Sequence, residues 1–189
     1  MPAPLKVVAV IGSTSPFSRT LVLAHAMLDA LSRNLLIDRH VVELTHIGRE
    51  LGQSLVRGEL PVEIERELQR IESADMVLAA APVYRGSYPG LFKHLFDMIE
   101  TDAFVNKPVL LAATGGSERH ALVIEHQLRP LFGFLQALTL PVGVYGTPAD
   151  FDGQRVSNAL LLERIALAAE RAAAVLGKSD PETNMWQIA

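Results

Sequence analysis

Three short stretches concentrate the groups that could do chemistry. The first, Gly12-Ser-Thr-Ser-Pro-Phe-Ser-Arg-Thr20, holds one glycine, five hydroxyls and an arginine. Hydroxyl donors, the free N–H groups of a helix start and a guanidinium are what a terminal monophosphate requires. Ser13, Ser15, Ser18 and Thr20 are the candidate donors, Arg19 is the counter-charge, and Phe17 stands among them. The plainer use of such residues is helix N-capping. One hydroxyl suffices for a cap, so five within eight residues favour an anion site. A helix dipole adds only about 0.3–1 kcal/mol, up to ~2 when partly buried. Micromolar affinity needs about 8 kcal/mol, so side chains and stacked ring surface must contribute as well.

The second stretch, "APVYRGSYPG" (81–90), follows the strand-like "DMVLAA", and the third, "ATGGSERH" (113–120), follows "KPVLLAA". Pro82, Val83, Tyr84, Arg85, Gly86 and Ser87 can offer N–H groups and apolar or aromatic walls to one edge of a flat ring. Thr114, Gly115, Gly116 and Ser117 can offer the same to another edge, the glycines letting main chain come close. Two ordinary loops whose tyrosines cap the core would explain either stretch alone, and explain both together less well.

The elements that must position these loops are legible from pattern. "LKVVAVI" (5–11) is short, β-branched and continuously apolar, as expected of a parallel strand covered on both faces. "RTLVLAHAMLDALSR" carries apolar residues at helical spacing. "IDRHVVEL" reads as a second strand, and Pro61 opens a helix through "PVEIERELQRIESA". "DMVLAA" is a third strand and "GLFKHLFDMIE" a helix. Lys107–Ala113 is a fourth strand, followed by one long helix from about Glu118. "LPVGVYG" is a fifth strand, and Val156–Leu176 the last helix. Five strands alternating with five helices predict a doubly wound five-stranded parallel sheet with helices on both faces. The whole chain, 1–189, is expected to be one domain with a polar tail from about 177 that carries the single tryptophan.

Two doubly wound folds compete, a dinucleotide-binding fold and a flavodoxin-like one, and both place ligands at the carboxyl ends of strands. The first loop lacks the G-x-G-x-x-G that a pyrophosphate needs, and no Walker A sequence occurs, which favours the flavodoxin-like fold. A net charge of −4 leaves no basic footprint for nucleic acid. With no cysteine, disulfides and thiolate chemistry are excluded, and no metal ligands are nominated. The start of the chain reads as a strand, not a signal peptide, and no apolar run approaches the roughly 18–20 residues of a membrane span. A soluble cytoplasmic protein is expected.

Taken together and in order, "GSTSPFSRT", "APVYRGSYPGLFKHLFD" and "ATGGSERHALVIEHQLRPLF" resemble the NAD(P)H-dependent FMN reductases of flavodoxin-like fold. The likeness is nearest to the flavin reductases that serve two-component alkanesulfonate monooxygenases, particularly the methanesulfonate-associated type. It covers nearly the whole chain. The resemblance implies FMN as cofactor, NADH or NADPH as donor, and the reaction FMN + NAD(P)H + H⁺ → FMNH₂ + NAD(P)⁺. It implies that Ser13, Ser15, Phe17, Ser18, Arg19 and Thr20 hold the phosphate. Pro82, Val83, Tyr84, Arg85, Gly86 and Ser87 would lie along the ribityl chain and ring, and Thr114, Gly115, Gly116 and Ser117 would approach the ring, with His120 nearby. It further implies a homodimer or homotetramer, and transient delivery of FMNH₂ to a monooxygenase partner in organosulfur metabolism.

Because hydride transfer belongs to the two cofactors, no acid or base catalyst is assigned. Arg85 has two roles open to it, the phosphates of the nicotinamide nucleotide or an ion pair across a subunit interface. Lys93 and Asp97 are spaced as an i,i+4 pair. Pro130 lies well inside the expected fourth helix, where it cannot donate to the carbonyl of His126. In similar reductases an inserted tyrosine produces a π-helical turn here, and this chain departs from that pattern with His126. A π-bulge around Glu125–His126 at a subunit interface and a plain proline kink with a solvated histidine are both open. The competing functions are an FMN-bound quinone or azo reductase and a flavodoxin-like electron carrier; mild acidity argues against the carrier.

Overall fold

The computed structural model describes residues 3–177, so the expected tail falls outside the described residues. Strand β1 (Leu5–Ile11) leads to helix α1 (Arg19–Ser32), strand β2 (Ile37–Glu43), and helices α2 (Leu44–Leu51) and α3 (Val62–Glu72). Strand β3 (Met76–Pro82) is followed by α4 (Gly90–Asp97), and β4 (Pro108–Thr114) by a π-helical turn (Ile124–Leu128) that runs into α5 (Arg129–Phe134). Strands β5 (Leu138–Thr139) and β6 (Val144–Gly146), a hairpin of β7 (Phe151–Asp152) and β8 (Arg155–Val156), and helix α6 (Ala159–Leu176) complete the order.

The main sheet is parallel in the order β2-β1-β3-β4-β5, with β6 also pairing to β4. This is the flavodoxin-like order, and its switch point lies between β1 and β3. Alternate residues of each strand feed two separate cores. Val8, Val10, Val77, Ala79 and Leu111 pack beneath α2–α5, whereas Val7, Ala9, Leu78, Leu110 and Ala112 pack beneath α1 and α6. Burial on both faces explains why these strands read as unbroken apolar runs.

On the first face, aromatic rings extend the core outward. Tyr88 meets Phe92 at 5.7 Å, Phe92 meets Phe96 at 4.9 Å, and Phe96 meets Phe132 edge-on at 4.9 Å. Such pairs add about 0.5–1.5 kcal/mol each beyond their buried area. Tyr88 thus anchors the far end of the 81–90 stretch into the core.

Several expectations are corrected. Leu44 does not extend β2; Leu44, Ile47 and Leu51 form the buried stripe of α2, a short helix the pattern reading missed. The expected fifth strand is split, with Leu140–Gly143 outside regular pairing. Helix α6 starts at Ala159, where the Asn158 side chain accepts from the Leu160 N–H, because Arg155–Val156 are taken up by the hairpin.

The expected long helix after β4 is also broken. It opens with an isolated 3₁₀ turn (Glu118–His120), then the π turn, then α5. Pro130 falls where the π turn passes into α5, so the residue without an N–H sits at the change of helical register. The π turn and the strand break fit one another. A Cβ on Gly143 would stand 2.7 Å from Ile124 Cγ2, the Arg129 guanidinium donates to the Leu140 carbonyl at 3.1 Å, and Arg129 pairs with Glu125 across the turn. The π turn around Glu125–His126 is therefore held from within the chain.

Arg57 ties the loop after α2 to both ends of α3 and beyond, bridging Glu65, Glu72 and Glu100. Its hydrogen bonds hold the Glu65 carboxyl below the usual range. A depressed carboxyl contributes stability that is complete above its unfolded value and lost as the pH falls through its folded value. Arg57→Ala should destabilise the protein by about 1–3 kcal/mol at neutral pH. In thermal melts the gap between variant and wild type should begin to narrow only below about pH 4.3, the ordinary carboxyl value, and narrow further as the pH falls through the depressed value of Glu65.

Candidate functional site

Strand β3 lies between β1 and β4, so the loops leaving all three strands converge at one sheet edge. The junctions are tight. The Gly12 N–H donates to the Ala80 carbonyl at 2.8 Å, and the Val83 N–H to the Thr114 carbonyl at 2.7 Å. Thr20 Oγ1 and Thr114 Oγ1 hydrogen bond at 2.7 Å, with the two residues only 1% and 7% exposed. This contact pins the start of α1 to the end of β4 over the top of β3.

A cavity of about 250 Å³ opens between these loops. Its lining from the first loop is Ser13, Ser15, Phe17, Ser18, Arg19 and Thr20. From the other two it takes Pro82, Val83 and Tyr84, and Thr114, Gly115 and Gly116. All twelve are residues the sequence nominates. Arg85, Gly86, Ser87, Ser117 and His120 stand outside that lining, while His126 and Pro130 lie on the exposed side of the π turn and α5.

Within the first loop the hydroxyls divide their work. Ser18 caps α1, accepting from the Thr20 N–H at 3.1 Å, so the capping role and a place in the cavity wall coexist in one residue. Ser13 Oγ accepts from the Ser15 N–H at 3.1 Å. The N–H groups of Phe17, Ser18 and Arg19 meet no acceptor among the described residues, as expected at a helix start. Phe17 is 86% exposed.

The second loop is a tight reversal. Tyr84 and Ser87 exchange backbone hydrogen bonds at 2.8 and 3.3 Å, with φ of 53° at Arg85 and 93° at Gly86. Two successive positive φ values are those of a hairpin turn of the primed type. The turn exposes Arg85, which has no ion-pair partner among the described residues. Ser87 Oγ donates to Gln127 Oε1 at 3.1 Å, linking this turn to the π turn. Lys93 and Asp97 form the expected i,i+4 pair on the flank of α4.

The third loop leans on β6. The Gly115 N–H donates to the Gly146 carbonyl at 3.1 Å, and the Tyr145 hydroxyl to the Ser117 carbonyl at 2.6 Å. Tyr145 and Gln127 are contacts that sequence reasoning missed. Tyr145 could have been found from register, since it pairs with Ala113 one residue before the loop; nothing local marks Gln127.

A larger groove of about 1010 Å³ runs along α1. It shares Phe17, Ser18 and Arg19 with the cavity but is otherwise walled by helix flanks and the β7–β8 hairpin. It gathers none of the strand-end loops after β3 and β4, so the smaller cavity is the better candidate site.

The chain matches the family described as NADPH-dependent FMN reductase over residues 5–152. A Pseudomonas fluorescens (strain Pf0-1) protein named NADH-dependent FMN reductase SfnF is 62% identical over 177 residues, 94% of this chain and 95% of that one. A Pseudomonas aeruginosa protein named FMN reductase (NADPH) is 58% identical over the same shares. Among solved structures, an oxidoreductase from Corynebacterium diphtheriae superposes with a TM-score of 0.81 at 31% identity, covering 94% of this chain and all of the other.

Removing one partner of the buried threonine pair leaves the other hydroxyl unsatisfied. Thr20→Val or Thr114→Val alone should each cost about 1–3 kcal/mol in urea denaturation. The double substitution should cost less than the sum of the two. Strict additivity would show that the contact does not couple the loops.

Proposed function

Since this chain belongs to the NADPH-dependent FMN reductase family, we propose that it is an NAD(P)H-dependent FMN reductase acting in the cytoplasm. The observation that carries this reading is the meeting of three strand-end loops in one cavity, with unpaired N–H groups at the helix end and glycine backbone opposite.

The donor set fits FMN. The free N–H groups of Phe17, Ser18 and Arg19, with the Ser15 and Ser18 hydroxyls and the Arg19 guanidinium, suit a dianionic phosphate. The twelve lining residues, joined at the rim by Arg85, Gly86, Ser87, Ser117 and His120, form the proposed flavin-binding set. At the other end of the cavity a Cβ on Gly116 would meet nothing within 4 Å, so that backbone faces open space a ring edge could enter. When bound, FMN supplies the site that accepts hydride from reduced nicotinamide. The chain's part is to orient and to stabilise. Val83 and Tyr84 wall one side of the ring position, while the N–H groups of Gly116 and Ser117 meet no acceptor among the described residues. They are preorganised donors for the edge of the ring where negative charge develops. Arg85, displayed on its turn without a partner among the described residues, would be the cation for the nicotinamide nucleotide's phosphates.

The likeness of the three loops to alkanesulfonate-associated reductases supports two further parts of the proposal. The FMNH₂ produced would pass to a two-component monooxygenase in organosulfur metabolism. The protein would work as a homodimer or homotetramer, with His126 and Pro130 on the exposed π-turn face at the interface.

Titration of the purified protein should quench FMN fluorescence, and steady-state oxidation of NADH or NADPH should require added FMN. Turnover that depends on a quinone and ignores free FMN would replace the reading. Arg85→Ala should raise the nicotinamide KM about tenfold or more, the scale of a lost charge-assisted contact, and leave the FMN Kd within about threefold. An unchanged KM would remove Arg85 from substrate binding.

A further inference from the structure

The Gly115–Ser117 turn is shaped by a side chain outside the cavity. Tyr145 sits on β6 with its phenol under the turn, donating to the Ser117 carbonyl at 2.6 Å. A Cβ on Gly115 would overlap that hydroxyl, so the glycine is required by the protein's own tyrosine, whatever approaches from the other side. The backbone contact from Gly115 N–H to the Gly146 carbonyl fixes the turn at its start, and the phenol fixes it two residues later. Between the two anchors the N–H groups of Gly116 and Ser117 are left without acceptors among the described residues.

We propose that Tyr145 is a positioning residue, whose hydroxyl holds the Gly115–Ser117 turn with its free N–H groups aimed at the electron-rich edge of the flavin. This rests on the FMN reading above. The Ser117 carbonyl shares its peptide plane with the Glu118 N–H, so the phenol fixes the end of the turn, and the Gly115 contact to the Gly146 carbonyl fixes its start; the Gly116 and Ser117 N–H groups are confined between the two. Donors fixed in this way interact more strongly with the ring after it has gained charge than before. Tyr145 should therefore discriminate between oxidised and reduced flavin. Burial, with the Glu118 charge assisting, raises the phenol's pKa above its ordinary value. The donor proton is thus retained across the pH range in which such an enzyme works.

The test is an anaerobic titration of wild type and Tyr145→Phe with FMN and with FMNH₂, read by fluorescence and absorbance. Phenylalanine keeps the ring and removes only the hydroxyl. The FMN Kd should change less than about threefold, while the FMNH₂ Kd rises about tenfold, equivalent to about 1.4 kcal/mol. The melting temperature should fall by only a few degrees. Gly115→Ala, which forces the phenol off the Ser117 carbonyl, should shift the same ratio. It should shift it less in the Tyr145→Phe background, where no hydroxyl remains to collide. If wild type binds FMN and both variants keep its ratio of oxidised to reduced affinity, or weaken both affinities equally, Tyr145 has no positioning role. If wild type binds no FMN, the flavin reading fails first and the proposal falls with it.

Discussion

The end of β3, flanked by β1 and β4, is the constraint on which everything else in this protein depends. In a parallel sheet each strand's carboxyl end leads into a loop, and adjacency of three such ends puts three loops within hydrogen-bonding reach. The buried Thr20–Thr114 contact is the consequence with the highest stakes. It spans the middle strand, joins a helix start to a strand end, and leaves neither hydroxyl to water. Such a contact costs little when complete and much when halved. The loops are consequently tied into one rim.

Two irregularities that would be faults separately work as a pair. A π turn widens a helix by one residue, and a split strand leaves unpaired backbone at a sheet edge. Here Ile124 from the π turn packs at Gly143 in the strand break, and Arg129 from α5 donates to the Leu140 carbonyl that the break leaves free. Arg164 on α6 donates to the Gly143 carbonyl at 2.9 Å from the opposite side. The break gives Ile124 room at Gly143, and arginines from α5 and α6 satisfy the carbonyls it leaves free. The same π turn carries Gln127 to Ser87, so the irregularity reaches the cavity's second loop without any subunit contact.

What the sequence made legible follows from the physics of each signal. The alternating apolar runs and helical stripes identified the sheet, because burial on both faces leaves continuous apolar strands. The loop equipment pointed to the cavity, because hydroxyls, glycines and arginine cluster for chemical reasons. Helix α2 was missed because eight residues with a central glycine carry too few periods to read. The split of the fifth strand was legible in "LPVGVYG" and passed over: Pro141 has no N–H for the ladder, and Gly143 leaves the space that Ile124 takes. Gly115 lines the cavity, as the sequence suggests, and the structure adds a second demand on it, the Tyr145 hydroxyl. A glycine announces close approach and does not say by what.

The dimensions of the cavity bear on how a flavin would be used. Pockets that enclose most of a ligand run from about 300 Å³ upward, and this one measures about 250 Å³. It can seat a phosphate and part of a ribityl chain, leaving much of a ring system at the rim beside the exposed Phe17 and Tyr84. On the proposed reading, Arg19 and the helix N–H groups would hold the charged end, while the ring would gain selective contacts along one edge. That division suits a molecule that must arrive oxidised and depart reduced. Tight burial of the ring would slow departure, whereas a firm hold on the phosphate and a preorganised edge orient the ring without enclosing it. A carrier that retains its flavin would need the opposite arrangement, with the ring sandwiched and the rim closed.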